Sequence, residues 1–241
     1  MERLKTSPML LLLILLLLRN ISSGRYGNPS DFIYDTLIFI PGIVLGLSLH
    51  EFGHAISSYK LGDPTPKVQG RVTVNPLAHI DPMGFIALII CGFGWGRPVE
   101  INPRNYKHPR RDELIVSLAG VTINLLLAIL FSLIIRFYIK ATGTVFLGRE
   151  SGIPGIVLEI LLYVVQINLV LMIFNLIPVP PLDGFGVITQ LFNLRNTKWY
   201  YRIYQYGYPI LMVLLITGAV SKILSPLVGG LLNLLLKYVI F

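Results

Sequence analysis

The five residues His50-Glu51-Phe52-Gly53-His54 place two imidazoles four positions apart, with a carboxylate beside the first. On a helix that spacing sets both rings on one face, where they can bind a single tetrahedral zinc, and it stands Glu51 beside the metal's water as a general base. The chemistry written there is metal-assisted hydrolysis. Its setting is apolar, because the pentapeptide lies in a run at about 33–59 that is long enough to cross a bilayer. A pair of structural histidines is the alternative reading, but two imidazoles and a carboxylate buried in hydrocarbon without a partner would cost several kcal/mol.

The elements that position these residues follow from hydropathy. The chain is 54% hydrophobic and 13% charged, with a mean hydropathy of +0.71. Those values exclude an ordinary soluble domain and indicate an all-α polytopic membrane protein. Beyond the zinc-motif run, apolar stretches lie at about 114–139, 154–177, 206–221 and 223–240, with a shorter one at about 83–95. Met9 to Leu18 is nearly all leucine yet reaches only about 15 Å as a helix, half the hydrocarbon thickness. With Arg3 and Lys5 before it and Ile21-Ser22-Ser23-Gly24 after it, this run resembles a signal peptide, although an uncleaved first helix is the preferred reading. About six transmembrane helices are expected, in a single domain over residues 1–241.

The lone Cys91 excludes an intrachain disulfide and offers no zinc-knuckle spacing. The net charge of +8 sits in the loops between apolar runs, so membrane topology explains it and no nucleic-acid partner is expected. The loop from Lys60 to Glu113 is rich in Lys and Arg, which places it in the cytoplasm. His54 then lies about 7 Å before the cytoplasmic end of its helix. Within the loop, Phe85 to Phe93 is too short to span and is interrupted by Gly92-Phe93-Gly94-Trp95-Gly96, the pattern of a re-entrant element. Val68 to Val74 alternates like a short β-hairpin whose edge could hold an extended substrate. Gly42-x-x-x-Gly46 predicts close helix packing.

Two histidines leave a catalytic zinc one protein ligand short. The missing ligand should reach the same membrane depth, and the candidates are His79, His108, Cys91, Glu159 and Asp183, of which Asp183 follows its helix on the correct side. It stands in Asn175-Leu176-Ile177-Pro178-Val179-Pro180-Pro181-Leu182-Asp183-Gly184, where prolines end a helix and an isolated acid marks a functional site. A helix-capping aspartate is the competing reading.

The zinc motif paired with this distal segment resembles the site-2 protease family of intramembrane zinc metalloproteases, over about residues 40–190. Gly70-Arg71-Val72-Thr73-Val74-Asn75-Pro76-Leu77-Ala78-His79-Ile80-Asp81-Pro82, Gly94-Trp95-Gly96-Arg97-Pro98-Val99 and Asn102-Pro103-Arg104-Asn105-Tyr106 match its compact, PDZ-less bacterial and archaeal members. The resemblance implies one zinc ion per chain, held by His50, His54 and Asp183, with Glu51 as catalytic base. Gly120-Val121-Thr122-Ile123-Asn124 resembles the family's G-x-x-x-N segment, whose Asn faces the active site, although many members carry Pro where this chain has Val121.

The expected reaction is hydrolysis of a peptide bond in or near a transmembrane helix of a membrane-tethered substrate, close to the cytoplasmic leaflet of a prokaryotic cell membrane. Asn124 and Asn175 are candidate oxyanion donors, with interhelical hydrogen bonding the other reading for each; Asn168 reads as structural. Two rivals stand beside the enzyme. A catalytically silent protein that binds transmembrane helices would be expected to lose Glu51. A metal transporter would need polar residues continuing outward, and Leu37 to Leu49 supplies only Ser48. The family suggests release of a membrane-tethered regulator, such as an anti-sigma factor, or trimming of remnant signal peptides.

Overall fold

A computed structural model describes residues 8–22, 24 and 27–241. Its helices in chain order are α1 (Pro8–Ser22), α2 (Pro29–Lys60), α3 (Thr65–Val68), α4 (Pro82–Cys91), α5 (Pro109–Thr142), α6 (Gly152–Asn175), α7 (Asp183–Leu191), α8 (Lys198–Ile216) and α9 (Ala219–Leu235), the last continuing into a π turn over Leu236–Ile240. Proline opens α2, α4 and α5, where its fixed φ suits the first turn and its missing N–H is not needed. Asn28 and Asp81 cap α2 and α4 by accepting from Ser30 N and Gly84 N. Glycines in the left-handed region close α4 at Gly92 (φ +72°) and α5 at Gly143 (φ +68°).

Four of these stretches are long and apolar enough to cross a membrane: Pro29–Lys60, Pro109–Thr142, Arg149–Asn175 and Ala219–Ile240. Among the described residues length and composition thus give four candidate spans where about six were expected. The run at 206–221 falls across α8 and the start of α9, and the first half of α8 carries Lys198, Arg202 and a series of tyrosines that lower its hydropathy. α1 has 15 residues, too few for a full crossing. The suggested signal-peptide features at Arg3, Lys5 and Ser23 lie outside the described residues.

The expected hairpin at 68–74 is corrected, since no strand forms among the described residues. The Asp63 carboxylate accepts from both the backbone N and the hydroxyl of Thr65, which starts the single helical turn of α3. Gly70 (φ +71°) ends it, and Arg71 N bonds back to Pro66 O. Val68 and Val74 remain 84% and 60% exposed, so the alternation buries nothing that a partner strand could reward. The extended pairing in this region is one isolated bridge, Ile80 with Gly96. Between those two residues α4 runs in, turns at Gly92 and comes back, with the backbone of Gly94 and Trp95 pressed on Gly84.

α2, α5 and α6 form the central bundle. In lipid, helices gain little from apolar burial itself, so association depends on close packing and on interhelical hydrogen bonds. Both are present. A Cβ on Gly42 would lie 3.2 Å from Tyr163 O and Val164 Cα, one on Gly46 would lie 2.6 Å from Leu171 Cδ1, and one on Gly53 would lie 3.1 Å from Ala119 O. The expected Gly42-x-x-x-Gly46 contact is therefore the seam between α2 and α6. Leu158, Val165 and Leu169 of α6 meet Val121, Ala128 and Ile135 of α5, and Val228 of α9 joins this core.

Candidate active site

α2 projects His50 and His54 from one face toward α5 and toward the start of α7. The two Nε2 atoms lie 3.1 Å apart. Asp183 Oδ2 is 3.2 Å from Nε2 of His50 and 3.3 Å from Nε2 of His54. Asp183 is the first residue of α7, and the cap position before it, Leu182, makes no side-chain cap bond. The carboxylate faces the imidazoles.

Hydrogen bonds orient each ring. Nδ1 of His54 donates to Val116 O at 2.8 Å, and Nδ1 of His50 lies 2.7 Å from Asn124 Oδ1. With both Nδ1 positions protonated, two Nε2 lone pairs and a carboxylate oxygen point at one another with no proton between them. Asp183 Oδ2 is buried and has no hydrogen bond of its own. Three converging acceptors repel unless a cation lies among them. Zinc fits the arrangement, because ligand bonds of about 2.0–2.1 Å in a tetrahedron put ligand atoms about 3.3 Å apart, close to the three distances found. Among the described residues this is the one group of three His, Cys, Asp or Glu side chains placed to hold a metal.

Gly120 of α5 makes room for the rings. A Cβ there would lie 2.5 Å from His54 Nε2 and 2.6 Å from His50 Cε1. Gly184 does the same for the third ligand, since its Cα packs against the carbonyl of Leu176, where a Cβ would come within 2.2 Å of the oxygen. That contact folds α7 back against the end of α6 and brings Asp183 to the site.

Glu51 Oε2 accepts from Val99 N at 3.0 Å. Val99 belongs to an extended strap held at both ends, with Arg97 N donating to His79 O at 2.7 Å and Asn102 N donating to Asp63 Oδ2 at 2.7 Å. Asp63 is fully buried and also accepts from Ser58, Thr65 and Asn105. Burial alone would raise its pKa, but the donors from Thr65, Asn102 and Asn105 outweigh it and bring the group down to about 2. Tyr106 donates to or accepts from Ser58 in the same knot, and burial pushes its phenol up to about 12. Across the strap, burial and the nearby Arg97 lower the Arg71 guanidinium from its ordinary value, while Glu51 and Glu100 oppose that shift.

A cavity of about 240 Å³ opens on the three converging atoms and on Glu51, walled by Pro98, Val99 and Ile101 of the strap and by Asn175 and Pro181. A second cavity of about 400 Å³ shares His50, Glu51, Pro98 and Asn175 with it and continues in an apolar direction past Phe93, Trp95, Leu12 and Leu211. Asn175 spends one amide hydrogen on Leu171 O and lines both spaces. Asn124 does not reach the cavity. Its amide nitrogen donates to Gly46 O and to Asn168 Oδ1, so both hydrogens are engaged.

The other ligand candidates lie elsewhere. His79 is buried, with Nε2 on Thr73 O. His108 precedes α5, Cys91 ends α4, and Glu159 accepts from the Tyr34 hydroxyl at 2.6 Å. Sequence reasoning missed the strap and the Asp63 knot. Asp63 had offered one signal, an acid just beyond a helix end and two residues before Thr65.

Comparison with known proteins agrees with this geometry. The family model described as "Peptidase family M50" matches residues 38–218. A Bacillus subtilis (strain 168) protein named "Putative zinc metalloprotease YwhC" is 38% identical over 205 residues, covering 83% of this chain and 91% of that protein. A Mycolicibacterium smegmatis protein named "Putative zinc metalloprotease Rip2" is 32% identical over 199 residues, covering 81% of this chain and 73% of its own. No solved structure matches the chain. A helical protein with apolar spans, a two-histidine and one-aspartate site beside a glutamate, and this family match together establish that the chain belongs to peptidase family M50, the site-2 protease family.

Proposed function

We propose that the protein is an intramembrane zinc endopeptidase that cuts membrane-tethered substrates in or near a transmembrane helix, close to the cytoplasmic leaflet of a prokaryotic cell membrane. The observation that carries the reading is the convergence of three ligand atoms within about 3.3 Å of one another beside Glu51, six residues before the end of a helix long and apolar enough to span. That depth is about 9 Å along the helix. The basic 60–113 loop supports a cytoplasmic position for this end.

Zinc held by His50, His54 and Asp183 would supply Lewis-acid polarisation of the scissile carbonyl and acidify a water to near neutrality. Glu51 takes the proton of the attacking water and hands it to the leaving amine. Val99 N–H fixes one oxygen of that carboxylate, which leaves the other for the transfer. Asn175, with an amide hydrogen to spare at the cavity wall, is the side chain placed to donate to a developing oxyanion. The apolar cavity beside the site suits a substrate segment arriving from lipid, and the smaller, more polar cavity suits the attacking water. Because a helix hides its own peptide bonds, the segment must be extended before it is cut. Such a reaction suits regulated release of a membrane-anchored protein.

The test incubates purified protein with a labelled transmembrane peptide, with and without a chelator, beside Glu51→Gln. Cleavage should need metal and should fall by about 10²–10⁴-fold in the variant. Chelator-insensitive cutting, or a fully active Gln variant, would overturn the mechanism.

A further inference from the structure

Asn124 and Asn168 form a buried relay that ends on the metal-facing histidine. Both residues are fully buried, and His50 is 5% exposed. The relay has a fixed direction. Asn168 Nδ2 lies 2.8 Å from Val164 O, a carbonyl that can only accept, so the Asn168 amide must put its oxygen on the opposite side. That oxygen is 2.9 Å from Asn124 Nδ2, which also donates to Gly46 O at 3.1 Å. Two acceptors on one nitrogen leave Asn124 one way round, with Oδ1 facing His50 Nδ1 at 2.7 Å. An acceptor there requires a proton on Nδ1. The unprotonated nitrogen of His50 must then be Nε2, the atom aimed at Asp183 and His54.

We infer that Asn124 of α5 and Asn168 of α6 are positioning residues that lock His50 in its Nδ1–H tautomer and set the affinity of the site for zinc. The inference rests on the proposed zinc site and extends it to two helices that supply no ligand. Neither Asn is a catalytic residue, since neither touches the cavity. His54 needs no such device, because its Nδ1 meets a backbone carbonyl directly. On the His50 side a side-chain amide supplies the acceptor. An amide can flip, and Asn168 with Gly46 O prevents it.

The experiment is a double-mutant cycle on zinc affinity, using the full-length protein in detergent and a chromogenic chelator as competitor. Asn124→Leu should weaken zinc binding about 10–100-fold, the usual effect of losing a ligand's outer partner. Asn168→Leu alters no atom in contact with His50, yet should weaken zinc on the order of 3–10-fold by freeing the Asn124 amide. The double variant should be no worse than Asn124→Leu, because Asn168 acts through Asn124. The Co2+-substituted protein should show an altered visible spectrum in Asn124→Leu. If the pair only held helices together, the variants would lower the unfolding midpoint of the chelated protein and leave zinc affinity and the Co2+ spectrum unchanged. Zinc affinity within twofold of wild type in Asn124→Leu, or losses that multiply in the double variant, would overturn the relay. Should Asn124→Leu fail to fold, Asn168→Leu decides alone, with a change under twofold counting against it. A wild type with no zinc affinity would overturn the proposed function itself; a zinc-binding wild type with indifferent variants would overturn only the relay.

Discussion

Replacing Gly120 with alanine should destroy the site while leaving the fold. In a helix interior, alanine is worth about 0.5–1 kcal/mol more than glycine, so propensity alone would make Gly120→Ala stabilising. Sterics decide otherwise. The new methyl would lie 2.5 Å from His54 Nε2, 2.6 Å from His50 Cε1 and 2.7 Å from His50 Nδ1, where real Cβ contacts stay beyond 3.0 Å. The rings must each retreat by several tenths of an ångström, and in the same direction, away from α5. Zinc bonds tolerate about 0.2 Å. Overpacking of this kind costs about 1–3 kcal/mol, and the displaced rings should lose at least about 100-fold in zinc affinity, or about 2.7 kcal/mol. Two measurements check it: zinc retained after dialysis against a competing chelator, and the rate of cleavage of a transmembrane peptide. Gly229→Ala on α9 is the control, because nothing lies within 4 Å of its Cβ position; it should keep zinc and gain slightly in stability. A Gly120→Ala protein that binds zinc and cleaves within threefold of wild type would refute the account of how α5 frames the histidines.

Chelation should lower the thermal midpoint and zinc should restore it, since a ligand at 100 times its Kd adds about 2.7 kcal/mol to the folded state; equal midpoints with and without metal would count against a built zinc site. Val99→Pro removes the N–H on Glu51 without touching a ligand, so turnover should drop on the order of tenfold with zinc content unchanged; a parallel loss of zinc would show that the strap supports the metal instead of the base. Asp63 has its folded pKa lowered from 3.8 to about 2. Its contribution to stability is therefore fully present above about pH 3.8 and is lost as the pH falls through about 2. Asp63→Asn should abolish that component, and wild-type and variant melting profiles that stay parallel between pH 5 and pH 2 would contradict it.

Hydropathy located every helix of the central bundle because those segments are apolar over their whole length. Its run at 206–221 does not correspond to one element: 210–216 is apolar, but the residues before it in α8 are Tyr208, Tyr206, Tyr204 and Arg202, and the run ends inside α9. The hairpin at 68–74 failed for a different reason. Alternation specifies a strand only if one face is buried by a neighbour, and Asp63, Pro64 and Pro66 had already committed the chain to a helical turn that leaves Val68 in the open.

The site divides along a similar line. His50, Glu51, His54 and Asp183 were legible because metal chemistry demands particular side chains, and a lone acid in apolar sequence is costly enough to need a reason. What holds them was not legible, for much of it is backbone. Val116 O orients His54, Val99 N holds Glu51, and Gly46 O and Val164 O fix the two asparagine amides. Every residue carries a backbone carbonyl and every residue except proline an N–H, so no residue type announces which of them will be used. Asn124 shows the difference well. Its amide in an apolar helix implied a polar partner, and both an oxyanion and a neighbouring helix satisfied that demand on paper. Only the placement of Gly46 O and Asn168 beside it engages both donor hydrogens and turns its oxygen to His50. That placement depends on how closely α2, α5 and α6 approach, which is the work of Gly42, Gly46, Gly53 and Gly120. The small residues that let the helices meet are thus a condition for the metal site, and a change in interhelical spacing of a few tenths of an ångström would be felt first at the histidines.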